Sequence, residues 1–226
     1  MSRTRTKLAD RILPDYTKGE EITNMVTHIV GGAFGIVALV LCVVFSAKLH
    51  NPYLVVGSAI YGASLILLYT MSSVYHGLRP NMGKKVLQVL DHCTIYFLIG
   101  GTYTPIVLGP IRAMTPWLGW TIFGVVWGFC ALGCTFTAID IEKYKVLAMV
   151  CYVGIGWMIV FALKQTILAV TFEGFVFLIT GGIAYTIGAV LYALGKKRRY
   201  MHSIFHIFVL MGTALQFITI FVYCIR

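Results

Sequence analysis

Five of the six histidines in this 226-residue chain lie within or beside long apolar runs. His202 and His206 are four apart, so on a helix their imidazoles share one face. Such a pair presents two nitrogens to one metal ion, and imidazole suits zinc among the abundant metals. A third nitrogen from His76 would complete a three-histidine set with its fourth position open, the pattern of a catalytic zinc. Ser72 stands one turn from His76 in a Ser-x3-His pair, and Asp91 is the only carboxylate well inside an apolar run. Glu21, Asn24 and His28, at offsets of three and seven, fall on one helical stripe. His92 points elsewhere on its helix from Asp91 and reads as structural, and His50 lies in a loop apart from the rest.

The elements that position these groups are transmembrane helices. Crossing the hydrocarbon core takes about 20 residues, and seven apolar runs have that character: 25–47, 53–76, 86–109, 117–139, 146–163, 174–194 and 202–225. Asn51 and Pro52 end the first, Gly77 to Pro80 the second, and Gly109 to Pro116 the third. Asp140 to Lys145 ends the fourth, and Lys196 to Arg199 the sixth. Lys164 to Glu173 is the least defined connection. The runs are apolar all round, without the alternation of a β-barrel. The fold class is therefore all-α and polytopic, with a polar segment at 1–24 and a seven-helix domain at 25–226.

Basic residues orient the bundle. Fourteen of the 18 Lys and Arg fall on the side of the N-terminus: Arg3 to Lys18, Arg79, Lys84, Lys85, Lys143, Lys145 and Lys196 to Arg199. Lys48, Arg112, Lys164 and Arg226 lie opposite. The positive-inside rule puts the N-terminus in the cytoplasm and the C-terminus outside, which argues against a G-protein-coupled receptor. At 1.5 Å per residue, His76, Asp91, His202, His206 and His28 all come out in the cytoplasmic half. Ionisable groups at such depth are costly and face the bundle interior, so their common level supports the metal reading.

The composition agrees. Apolar residues make up 59% and charged residues 12%, against about half and about a quarter in an average soluble domain. Those values exclude an ordinary soluble enzyme and a disordered chain. The net charge of +10 sits in loops between apolar runs, so it marks orientation and not a nucleic-acid partner. The six cysteines all lie in apolar runs with no CxxC pair, and read as buried side chains; Cys130 and Cys134 share a face without a nearby third soft ligand. Gly31/Gly35 and Gly124/Gly128 read as close helix packing, and Pro105 as a kink. No cleavable signal peptide is expected ahead of the first run. Residues 1–20, with Leu8, Ile12, Leu13, Arg5 and Arg11, read either as a short interfacial helix or as a disordered tail.

Glu21-x2-Asn24-x3-His28, Ser72-x3-His76, Asp91, Gly101-Thr102-Tyr103-Thr104-Pro105 and His202-x3-His206 together resemble the hemolysin III family, bacterial relatives of the progestin and adipoQ receptors. The resemblance runs from about residue 20 to the end. It implies zinc bound through His76, His202 and His206, and a cytoplasmic N-terminus in a bacterial plasma membrane. The wider superfamily holds alkaline ceramidases, which cleave lipid amides and share the Ser, Asp and three-His pattern. It also implies a link to membrane lipid homeostasis.

Two roles for zinc follow. In one, the ion is catalytic: Asp91 accepts or orients the proton of the attacking water and Ser72 hydrogen-bonds the water or the developing oxyanion. The substrate is then an acyl amide or ester of a membrane lipid. In the other, the ion is structural and Asp91 is a candidate fourth ligand. Glu21, Asn24 and His28 form a second shell, or Glu21 and Asn24 simply begin the first helix. Three functions compete on this basis: a metal-dependent lipid hydrolase, a sensor or receptor using the same site, and a cytolytic pore, for which no polar channel stripe is present. The oligomeric state and the substrate are not readable from the sequence.

Overall fold

The computed structural model describes residues 5–195 and 198–225. Arg3, Lys196, Lys197 and Arg226, which entered the charge count, lie outside the described residues. The architecture is all-helical, with no strand among the described residues. Helix α1 spans Lys18–Lys48, α2 Pro52–Gly77, α3 Met82–Ile106 and α4 Pro116–Ile139. Then come α5 at Lys145–Gly156, a 3₁₀ segment at Met158–Ala162, α6 at Leu163–Leu194 and α7 at Met201–Ile218. Six continuous helical stretches are long and apolar enough to cross a membrane.

Local chemistry sets the starts. Thr17 and Glu20 form a capping box that begins α1 at Lys18, two turns before its apolar run. Glu21 and Asn24 are thus helical, inside what the sequence assigns to the 1–24 segment. Asn51 caps α2 with Pro52 in its first turn, and Asn81 caps α3. Beyond Pro105, α3 widens into a π turn at Val107–Ile111, where Gly109 leaves helical geometry.

The longest stretch, Lys145–Leu194, holds 50 residues and is not straight. Trp157 Nε1 donates to Thr186 Oγ1 at 3.0 Å, whereas a straight helix would hold residues 29 apart by about 43 Å. The chain doubles back at Thr171, which has φ 61 and ψ 172. Helix therefore occupies most of 164–173, where the sequence suggests a loose connection. A second break, near Gly156, frees backbone groups that lipid cannot satisfy. The Tyr103 hydroxyl meets them: it lies 3.0 and 2.9 Å from the Ile155 and Gly156 carbonyls and accepts from the Ile159 N–H at 2.9 Å.

Helix α3 is the axis of the bundle, with 78% of its apolar window buried. Small residues let its neighbours approach. A Cβ on Gly57 of α2 would stand 2.9 Å from Pro105 Cα, a backbone atom that cannot swing aside. Gly57→Leu is accordingly expected to destabilise the bundle by about 1–3 kcal/mol or to rearrange it, read as an earlier thermal transition in detergent.

The described part of the N-terminal segment, from Arg5 on, is docked: a 3₁₀ turn at Leu8–Asp10 with extended residues on either side. Arg5 Nε donates to the Ile139 carbonyl at 3.0 Å, the Thr6 N–H to Asp140 Oδ2 at 2.7 Å, and the Lys85 ammonium to the Ala9 carbonyl. Burial pushes the Asp140 carboxyl up, but the N–H donors of Thr6, Lys143 and Glu142 outweigh it and hold the group below its ordinary range.

Candidate metal centre

Helices α1, α2, α3 and α7 meet beneath this docked segment. His76 Nε2 lies 3.2 Å from His202 Nε2, which lies 3.1 Å from His206 Nε2. All three residues are buried, and their ligand atoms lie within 4.8 Å of one another. Imidazoles around one tetrahedral zinc, each at about 2.0 Å, stand about 3.3 Å apart, so the spacing fits.

The outer nitrogens set the tautomers. His76 Nδ1 lies 2.6 Å from Glu21 Oε2, and since an ionised carboxylate only accepts, Nδ1 carries the proton. His206 Nδ1 lies 3.2 Å from the Asn24 carbonyl and is likewise a donor. Both Nε2 atoms then present lone pairs to His202. A single proton on His202 Nε2 serves only one of them, whereas one cation satisfies all three. His202 Nδ1 has no partner among the described residues. A buried cluster of three imidazoles, two of them oriented by oxygen acceptors, fits zinc.

The stripe on α1 is the supporting wall. Glu21 bridges His76 and Lys84, whose Nζ lies 2.6 Å from Glu21 Oε1 and 2.8 Å from the Leu78 carbonyl. Asn24 Oδ1 accepts from Ser203 at 2.6 Å, tying α1 to α7. His28 stacks on His206, ring centroids 3.6 Å apart and planes at 10°, and its own nitrogens have no partner among the described residues. Glu21 thus holds His76, one of the three clustered histidines.

Asp91 does not join the histidine cluster. Its Oδ2 faces His92 Nδ1 at 3.9 Å, and His92 Nδ1 pairs with the Gln88 carbonyl of its own helix at 2.8 Å. Ser72 is buried, and its hydroxyl has no partner among the described residues. Asp91, Ser72, His28, His202 and His206 all line one cavity of about 690 Å³. It continues along α7 to Gln216, about 21 Å from His202, between apolar walls that include Leu68, Leu98, Ile106 and Val209.

Two neighbours of the site were not singled out by sequence. Tyr16 stacks over His202, centroids 5.1 Å apart and planes at 11°, and closes the site from the N-terminal side. Burial raises its phenol far above the ordinary value, so it stays protonated. Lys84 counts in the sequence as a loop cation, yet its side chain is 3% exposed. Its signal was its place in the first turn of α3, where the helix dipole disfavours a cation unless a carboxylate compensates.

Comparison with known proteins identifies the family. The family model described as haemolysin-III related matches residues 16–217. The chain is 35% identical to the "Hemolysin-3 homolog" of Bacillus subtilis, over 93% of this chain and 97% of that one. It is also 35% identical to "Hemolysin-3" of Bacillus cereus, over 90% and 91%. Its identity to the human "Monocyte to macrophage differentiation factor" is 28%, over 92% and 85%. No solved structure matches the chain. A multi-pass helical bundle with three converging histidines, matched along nearly its whole length, makes the chain a member of the haemolysin-III-related family.

Proposed function

We propose that this protein is a zinc-dependent hydrolase of acyl amide or ester lipids, working in membrane lipid homeostasis in the bacterial cytoplasmic membrane. The carrying observation is the three-histidine cluster at the head of a long apolar cavity, with Ser72 and Asp91 on the same wall. In this reading the doubled-back stretch Lys145–Leu194 crosses twice, giving seven spans, an inward N-terminus and an outward C-terminus. Three protein ligands leave one position for water or substrate. The cavity volume is that of a small-molecule site, and its walls favour an acyl chain by about 0.8 kcal/mol per buried methylene.

Bound there, zinc would supply Lewis-acid polarisation of the acyl carbonyl and activation of water. Asp91 takes the proton released by the attacking water and returns it to the amine or alcohol that leaves as the acyl C–N or C–O bond breaks. The Ser72 hydroxyl, buried on the cavity wall, donates to the oxygen that gains charge. Glu21 keeps the proton of His76 on Nδ1, so that Nε2 faces inward. Tyr16 and the docked segment shield the site from bulk water.

The test is release of free fatty acid from a panel of acyl amides and esters by purified protein. Asp91→Ala is expected to lower the rate by about 10²–10⁴-fold while leaving bound zinc unchanged. Retained zinc with no product from any lipid would overturn the hydrolase reading in favour of a sensor.

A further inference from the structure

Arg11 lies on the docked N-terminal segment, and it is 5% exposed. Its Nε and Nη1 are enclosed and have no hydrogen-bond partner among the described residues. A guanidinium keeps its proton at every physiological pH, so two of its charged donors stand enclosed without an acceptor, an arrangement that calls for a compensating group. The chain just before Arg11 is anchored, the Thr6 N–H by Asp140 and the Ala9 carbonyl, inside the turn, by Lys85.

Arg11 borders a pocket of about 290 Å³ whose other walls are Thr6, Asp10, Ile12 and Glu142. This pocket contains none of the three histidines; Glu142 borders both it and the larger cavity. The guanidinium fork matches phosphate oxygens. Two carboxylates on the same walls would repel a bare anion, but they suit an ammonium carried beside a phosphate. A primary ammonium donates hydrogen bonds to both carboxylates, which a quaternary one cannot. Glu142 is available, since its pair with Lys145 at 3.2 Å is half-exposed and weak. Ile12, beside the pocket, is 87% exposed, an apolar side chain offered at the end of the bundle where headgroups lie.

We propose that this pocket binds the headgroup of a zwitterionic phospholipid with a primary ammonium, its phosphate on Arg11 and its ammonium between Asp10 and Glu142. The site would hold one phosphatidylethanolamine-type lipid against the N-terminal segment.

The experiment is native mass spectrometry of the full chain, equilibrated with phosphatidylethanolamine, phosphatidylcholine or phosphatidylglycerol. Wild type is expected to retain the ethanolamine lipid over the other two, and Arg11→Gln to weaken that retention by roughly tenfold. Asp10→Asn with Glu142→Gln changes only groups at the surface rim; it is expected to erase the preference for the ethanolamine over the glycerol lipid. The second arm adds glycerophosphoethanolamine, the same headgroup without chains. Failure to displace the lipid supports a membrane ligand; displacement at concentrations comparable with the lipid's reassigns the pocket to a soluble compound. Equal lipid preference in wild type and Arg11→Gln, or a wild-type preference for phosphatidylglycerol, overturns the proposal.

Discussion

Replacing His202 and His206 together by alanine is expected to take purified protein from about one zinc per chain to less than about a tenth. The two side chains supply two of the three converging Nε2 atoms. His76 alone then remains, and one imidazole does not hold zinc against a buffer. His92→Ala is the matched control. Its ring nitrogen pairs with the Gln88 carbonyl and stands outside the cluster, so its zinc content is expected to equal wild type. Elemental analysis of freshly purified protein, set against chain concentration, measures both. A wild type with no stoichiometric metal sinks the site, and a double variant that keeps its metal shows that other residues hold it. Because the fold around the cluster is helical throughout, thermal melting of both variants in one detergent separates loss of metal from loss of the bundle.

That the three histidines converge was legible because a transmembrane helix converts sequence position into height. His76 ends one apolar run and His202 begins another, and both ends lie on one side. What height does not give is rotation about each helix axis. Asp91 lines the same cavity as the histidines but does not join the cluster of converging nitrogens. Hydropathy also ignores hydrogen bonding. It starts the first helix at Met25, whereas the Thr17–Glu20 capping box starts it at Lys18 and thereby carries Glu21 to His76. Charge misleads in the same way at Lys164 and Glu173. They read as a loop, yet the helix runs past Lys164 and breaks at Thr171, where the chain reverses. Arg11 and Lys84 look like headgroup-facing cations until packing encloses them.

Lys84→Met tests how far that enclosed charge supports the site. The lysine donates to Glu21 at 2.6 Å and to the Leu78 carbonyl at 2.8 Å, and its ammonium lies 5.1 Å from the Tyr75 ring centre. It thus joins α3 to α1 and closes the C-terminal end of α2, two residues beyond His76. Methionine keeps most of the volume and removes the charge. Glu21, whose side chain is 19% exposed, is left with the His76 imidazole as its side-chain partner among the described residues. Breaking a buried pair from one side costs about 3–5 kcal/mol, and the residual exposure of Glu21 places the expected loss toward the lower end. The carboxylate also fixes the orientation of His76, so zinc affinity is expected to fall by about 10–100-fold, measured by competition with a chelator of known strength. Lys84→Arg keeps the charge and is expected to retain most of the affinity. Lys84→Met combined with Glu21→Gln removes both charges, so its stability loss is expected to be smaller than the sum of the single losses, a coupling that thermal melts of the four proteins resolve. Unchanged zinc affinity in Lys84→Met would show that Glu21 holds His76 without help. In that case the lysine acts only as a clamp between helices, and the Leu78 carbonyl is its main partner.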